Sequence, residues 1–305
     1  MRKSKPRKQK RSSSDFIFDT VTFIILTLVF VITAYPLYFI LISSISNPTA
    51  VAAGDVVFLP IGFTFDGYLE ILEHKEVLRG FINSIIITVV GTSINLFLTL
   101  PTGYALSRPD FFYRKFVTYF YIITMFVNGG MIPTYLVVQQ TGLIDTIWAL
   151  IIPGAVSVFN MFVARTFFKT NIPKELLEAG LLDGCTNFKF FIKVALPLSG
   201  SLMAVLALYY GVGHWNAYFN SLLYITTPKK FPLQLVLRNI LIDNSLNQSM
   251  SAMDQASIEA IEKRRELVEL MKYSLIVFSS IPVMLVFPFI QKHFVKGVMI
   301  GSVKG

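Results

Sequence analysis

Six stretches of the chain run without Asp, Glu, Lys or Arg: 20–45, 80–107, 116–144, 146–164, 194–228 and 273–291. They hold 19 to 35 residues each and are dense in Leu, Ile, Val and Phe. A helix needs about 20 mostly apolar residues to cross roughly 30 Å of hydrocarbon. Buried helices of soluble proteins rarely run so long without a charge, so the pattern predicts an all-α polytopic membrane protein with six transmembrane helices. Pro36 predicts a kink in the first span. Asn128-Gly129-Gly130-Met131-Ile132-Pro133 predicts a broken third helix, which a bilayer tolerates only where it is buried or lines a cavity. Pro153 and Gly154 lie within the fourth window, Leu196 and Pro197 open the fifth, and Pro282 and Pro288 lie in the sixth. Between the fifth and sixth windows the pattern predicts a short amphipathic segment over 231–240 and a polar stretch over 243–257. A charged helix over about 258–269 follows.

Composition strengthens this picture. Charged residues make up 15% of the 305 residues and hydrophobic ones 54%, against about 25% charged in soluble chains. Disorder is excluded for the bulk of the chain, and the single cysteine, Cys185, excludes a disulfide framework. The net charge of +9 is unevenly spread. Seven basic residues and no acidic one lie between Arg2 and Arg11. The apolar run that follows continues past Pro36, too long for a signal peptide, so the start reads as a retained tail. Cytoplasmic anchoring explains that tail better than nucleic-acid binding does, because a span follows at once. With both termini inside, the inner segments hold 18 of the 27 Lys and Arg residues, as the positive-inside rule requires. The outer 229–272 segment carries seven and counts against this orientation, but the other segments outweigh it. The chain thus divides into a basic cytoplasmic tail, 1–15, and a transmembrane domain, 16–305.

Polar residues inside the spans are the candidate chemistry. Asn83, Asn95 and Asn128 either hydrogen-bond between helices or face a wet path. The densest cluster runs from Tyr209 to Asn220, with Trp215, Asn216 and Tyr218 as its best candidates for substrate contact. Such groups stack on and hydrogen-bond to sugar rings, yet an interfacial aromatic belt uses the same types. There is no P-loop, no His-Glu-x-x-His, no Gly-x-Ser-x-Gly and no Cys-x-x-Cys. His214 lacks neighbours for a zinc site, since His74 and His293 are far away in sequence. No catalytic residue, metal or cofactor is expected. No carboxylate sits in mid-span, which argues against a proton-coupled pump.

The inner 165–196 loop is the most informative segment. It contains Asn171-Ile172-Pro173-Lys174-Glu175-Leu176-Leu177-Glu178-Ala179-Gly180-Leu181-Leu182-Asp183-Gly184. Asn171 is the expected cap, Pro173 suits the first turn, and Glu175 favours the positive end of a helix. The leucines give one apolar stripe and Gly184 a turn. The order Glu178-Ala179-Gly180, three residues, Gly184, nine residues, Val194-Ala195-Leu196-Pro197 resembles the Glu-Ala-Ala motif of membrane subunits of binding-protein-dependent ABC importers. The departures are Gly180 for the second Ala and Val194 for Ile. The resemblance covers a core of about 81–292, and the whole chain looks like a maltose-type carbohydrate permease. Trp215-Asn216 and Phe231-Pro232-Leu233-Gln234 resemble its oligosaccharide or uronide-oligosaccharide branch.

The resemblance implies a type I importer fold in a bacterial inner or plasma membrane. It also implies a homologous sister permease and two cytoplasmic ATPase subunits or a homodimeric ATPase. An outer sugar-binding protein and an oligosaccharide substrate complete the set. The Glu178–Gly184 helix would be the coupling helix, with Glu178, Ala179, Gly180, Asp183, Gly184, Leu196 and Pro197 serving the ATPase contact. Hydrolysis would belong to the partner, so the chain itself is no enzyme. Two other classes stay open at this point: a stand-alone secondary transporter with its site at the Asn128–Pro133 break, and a membrane scaffold.

Overall fold

The computed structural model describes residues 13–247, 271–289 and 291. The 1–12 part of the tail, the expected 258–269 helix and the C-terminal segment lie outside them. The described residues fall into two units, one made of 13–69 and 271–277, the other of 70–247 and 278–291 without residue 290.

In the first unit, α1 (Ser13–Ser43) continues through Pro36. Its side chains are apolar on every side, and none in its most hydrophobic stretch is buried, as suits a helix surrounded by lipid or by another chain. Its far end is tied down by tyrosines. Tyr35 Oη donates to the Val57 carbonyl at 3.3 Å and Tyr38 Oη to that of Phe58. The short helix α2 (Pro48–Ala53) is capped by Asn47, whose Oδ1 accepts from Thr49 N at 2.9 Å. Helix α3 (Asp66–Glu73) leads to the second unit.

The second unit is built on α4 (Lys75–Ser107), about 50 Å long at 1.5 Å per residue. Around it stand α5 (Arg114–Phe126), α6 (Met131–Gln140), α7 (Trp148–Ile151) and α8 (Val158–Asn171). Then come α9 (Lys174–Leu182), α10 (Asn187–Phe190), a π turn over Phe191–Ala195, α11 (Leu196–Leu198), α12 (Gly200–Trp215), α13 (Tyr218–Tyr224) and α14 (Leu233–Asn247). The last helix, α15 (Met271–Phe289), begins in the first unit and ends in the second.

Three of the expected spans, α1, α4 and α15, are single helices long and apolar enough to cross a bilayer. The third breaks as the Asn128–Pro133 sequence predicts, with α5 and α6 bent by 116°. The fourth is also broken, between α7 and α8 at Pro153-Gly154. The fifth differs from the expected single span. Pro197 has no N–H to give the Lys193 carbonyl, the backbone widens into the π turn, and the segment up to Leu198 meets α12 at 81°. Ser199 Oγ closes the elbow by donating to the Ala195 carbonyl at 2.6 Å.

Helix α4 packs against α8, α12 and α14. Two glycines allow the closest approaches. A Cβ on Gly103 would stand 2.7 Å from the Ala164 Cβ, and one on Gly91 2.5 Å from His214 Nε2. Segment 231–240, expected as an amphipathic piece of loop, is instead drawn into the bundle. Leu233, Leu235, Val236 and Leu237 are buried, and Leu233 N donates to Ser84 Oγ at 2.8 Å. The apolar core has one centre near the Arg108 end of α4, where the Tyr104, Phe168 and Phe191 rings pack at centroid distances of 5.0–6.3 Å. A second lies near the other end, around Ile87, Val138, Ile151 and Tyr224.

Candidate functional site

The motif helix α9 stands on the rim of the second unit. Its N-cap falls two residues later than the sequence suggests. Pro173 forces Ile172 into an extended conformation (φ −101°, ψ 106°). Asn171 therefore ends α8, donating from Nδ2 to the Phe167 carbonyl at 3.1 Å, and Pro173 itself occupies the N-cap position. At the other end Gly184 adopts φ +73°. Gly184 N donates to the Leu181 carbonyl at 3.0 Å and Cys185 N to that of Gly180 at 2.9 Å. This pair of bonds is a Schellman closure, which favours glycine at that position.

The leucines do not form one buried stripe. Leu177 packs on the Tyr104–Phe191 core, whereas Leu176, Leu181 and Leu182 are exposed, Leu182 to 89%. Gly180 lies over Phe190, and a Cβ there would come within 2.8 Å of the ring. The methyl missing relative to the Ala of the motif is thus replaced by a buried phenylalanine edge. Glu178, Ala179, Asp183 and Gly184 are exposed, so α9 presents them and three leucines outward. Leu196 and Pro197 sit at the elbow between this loop and α12.

Beside α9, Arg108 is 8% exposed. Its Nε and Nη2 donate to the Asp110 carboxylate at 2.8 Å each, Nη2 also to Asn187 Oδ1 at 3.2 Å, and Nη1 to Tyr104 Oη at 3.4 Å. The guanidinium holds the Asp110 carboxyl below its ordinary value. In the sequence Arg108 stands out only as a positive charge; nothing local marks its contact to a residue 79 positions away.

A polar network crosses the middle of the bundle. The α7–α8 break frees the carbonyls of Gly154 and Ala155, and Asn95 Nδ2 donates to both, at 2.9 and 2.8 Å. Its Oδ1 is then the acceptor for His214 Nε2 at 2.7 Å, so that nitrogen carries the proton. Thr99 Oγ1 and Tyr210 Oη pair at 2.7 Å, and Tyr210 Oη accepts from Ser157 N at 3.3 Å.

The five expected path residues are not brought together. Asn83 Nδ2 donates to the carbonyls of Lys229 and Phe231 at 3.0 Å each. Asn128 Oδ1 accepts from Gly130 N at 2.8 Å within the α5–α6 break. Trp215 is buried, with Nε1 donating to the Ser279 carbonyl at 3.0 Å. Asn216, on the turn after α12, and Tyr218, the first residue of α13, are exposed.

At the opposite end from α9, Asp145 fastens two loops. It has φ +60°. Its carboxylate accepts from Thr226 N and Thr227 N at 3.0 and 2.9 Å, and from Thr227 Oγ1 and Lys230 Nζ at 2.7 Å each. The Lys230 ammonium and the threonine donors hold this carboxyl far below its ordinary range. A depressed native pKa stabilises above the unfolded carboxylate value of about 3.9 and is lost as pH falls below it. Asp145→Asn, which tolerates the same backbone, is therefore expected to lower the melting temperature of the solubilised protein at pH 7. The difference from wild type should shrink towards pH 3; a constant difference would show that the carboxylate charge is not the cause.

A helical bundle with apolar spans, interrupted helices and an exposed amphipathic helix on its rim defines an integral membrane transport component. Residues 99–300 match the family described as binding-protein-dependent transport system inner membrane component, and the chain belongs to that family. It is 37% identical over 290 residues to the polygalacturonan/rhamnogalacturonan transport system permease protein YtcP of Bacillus subtilis (strain 168), covering 95% of this chain and 99% of that one. It is 39% identical over 289 residues to Protein LplC of the same organism, covering 95% of each. A crystal structure of a bacterial ABC transporter involved in the import of the acidic polysaccharide alginate superposes with a TM-score of 0.84 and 30% identity. That match covers 94% of this chain and all of the other. Membership of this family decides against the stand-alone carrier and the scaffold.

Proposed function

We propose that the chain is a permease subunit of an ATP-driven importer for an oligosaccharide, with uronate-rich saccharides as the favoured class. The reading rests above all on α9, a helix closed at Gly184 that turns Glu178, Ala179, Asp183 and three leucines outward. The names of YtcP and of the alginate transporter, at 37% and 30% identity, support the substrate class. A homologous sister permease completes the translocation path, and a binding protein delivers substrate from outside. A cytoplasmic ATPase pair supplies the free energy. The basic-residue bias supports cytoplasmic termini, with Lys174 and Cys185 inside and Lys75 outside. Asn216 and Tyr218 are the exposed members of the expected path and its best remaining candidates, whereas Trp215 is buried against Ser279 and Phe81.

The test is uptake of a galacturonate oligosaccharide into proteoliposomes holding the whole transporter, with its binding protein outside and ATP on the ATPase side. Uptake that needs both is expected. Asn216→Ala should lower it about tenfold, the loss of roughly one hydrogen bond to substrate, with assembly intact. Uptake without ATP would refute the importer reading, and unchanged uptake in Asn216→Ala would remove that residue from the path.

A further inference from the structure

Arg108 follows the last residue of α4, and its charge is almost wholly withdrawn from solvent. A buried guanidinium needs its donors matched, and here Asp110 and Tyr104 do so from its own end of α4. The bond to Asn187 Oδ1 is different, because it reaches across to the loop that follows α9. Asn187 is the first residue of α10, three positions after Gly184, and Thr186 Oγ1 caps that short helix by accepting from Lys189 N at 3.3 Å. Cavities of about 340 and 160 Å³ open on either side of Arg108. The loop is therefore not packed solidly onto α4 there. Its other ties to α4 are apolar contacts, Tyr104 with Phe191 and Leu177 with the core around Tyr104. Apolar contacts are non-directional and can slide, whereas a planar guanidinium fork fixes both distance and angle.

We infer that Arg108 is a positioning residue for coupling, a pin through which displacement of the α9–α10 loop is delivered to the end of α4. Because α4 packs against α8, α12 and α14, a push at its end reaches the centre of the second unit. This rests on the reading of α9 as the ATPase contact. Asp110 and Tyr104 hold the guanidinium in place, and Asn187 is the point at which the moving loop engages it.

The test uses the complete transporter in proteoliposomes and measures ATP hydrolysed per galacturonate oligosaccharide taken up, together with the amount of ATPase retained. Asn187→Leu removes the acceptor and leaves the Arg108–Asp110 pair intact. Arg108→Met removes the pin, and Asn187→Asp keeps an acceptor at the same place. Asn187→Leu and Arg108→Met are expected to raise the ATP cost per substrate about tenfold, within the range of ordinary coupling energies, with normal ATPase retention. Asn187→Asp should behave as wild type. Uptake and hydrolysis falling in proportion, or an unchanged ratio in Asn187→Leu, would overturn the inference. Loss of ATPase would show instead in the retention assay, and failure of a separate Gly184→Arg variant to disturb retention would count against the α9 reading itself.

Discussion

Gly184→Arg is expected to leave the spans inserted while reducing retention of the ATPase and its substrate-stimulated hydrolysis by tenfold or more, roughly 1.4 kcal/mol or above. Two effects combine. A non-glycine residue at φ +73° costs about 1–2 kcal/mol, which loosens the closure that holds the end of α9. The new Cβ also has open space around it, with no atom within 4 Å on an exposed turn. The arginine is therefore free to project into the proposed contact, where an unpaired charge is costly to desolvate. Gly184→Asn separates the two effects, because asparagine tolerates the left-handed region and adds no charge. It should retain most activity. Glu178→Ala, on the exposed face, should be milder than the arginine variant, because it removes at most one hydrogen bond and adds neither backbone strain nor an unpaired charge. The measurement is ATPase bound per permease pair and hydrolysis in the presence of binding protein. Full stimulation with normal retention in Gly184→Arg would remove α9 from the ATPase contact.

Asn95→Leu is expected to be the most damaging substitution for stability. Asn95 is fully buried and serves three partners at once: the carbonyls of Gly154 and Ala155 and the Nε2 proton of His214. Leucine leaves all three without a partner, at about 1–3 kcal/mol for each unsatisfied buried group. Leucine has the same branched shape and is larger, so no cavity forms and the loss is that of the polar partners. A large drop in melting temperature and in the yield of assembled protein should follow. His214→Phe removes only one partner and should cost less. Equal stability of Asn95→Leu and wild type in a thermal scan of the solubilised protein would show that water or another group satisfies the break between α7 and α8.

Much of this was legible along the chain. Apolar windows locate the spans because a bilayer imposes a minimum length. Gly184 is legible as a turn because few residues but glycine occupy its backbone region. The Asn128–Pro133 break is legible for the same kind of local reason. Elsewhere local reasoning fell short. Asn171 reads as a cap until Pro173 is seen to push the break onto Ile172 and itself. Segment 231–240 reads as part of a loop because its apolar run is far too short to cross a bilayer, yet Ser84 and Gly80 of α4 receive it. The pairings of Asn95 with His214 and of Arg108 with Asn187 join residues 119 and 79 positions apart. No periodicity records such pairs; they exist only once the helices are assembled. Gly180 shows the same limit, since the Phe190 ring that replaces its methyl is invisible from the motif alone.

Crosslinking from Leu182 shows whether α9 meets the ATPase. This residue is the most exposed leucine of α9, at 89%, so a photoreactive amino acid there leaves the packing of the second unit intact. In membranes containing the complete transporter, an adduct with the cytoplasmic ATPase is expected, with a yield that changes when ATP is bound. An adduct formed only with lipid or with an outer binding protein, and none with the ATPase, would contradict both the coupling role of α9 and its placement on the cytoplasmic side.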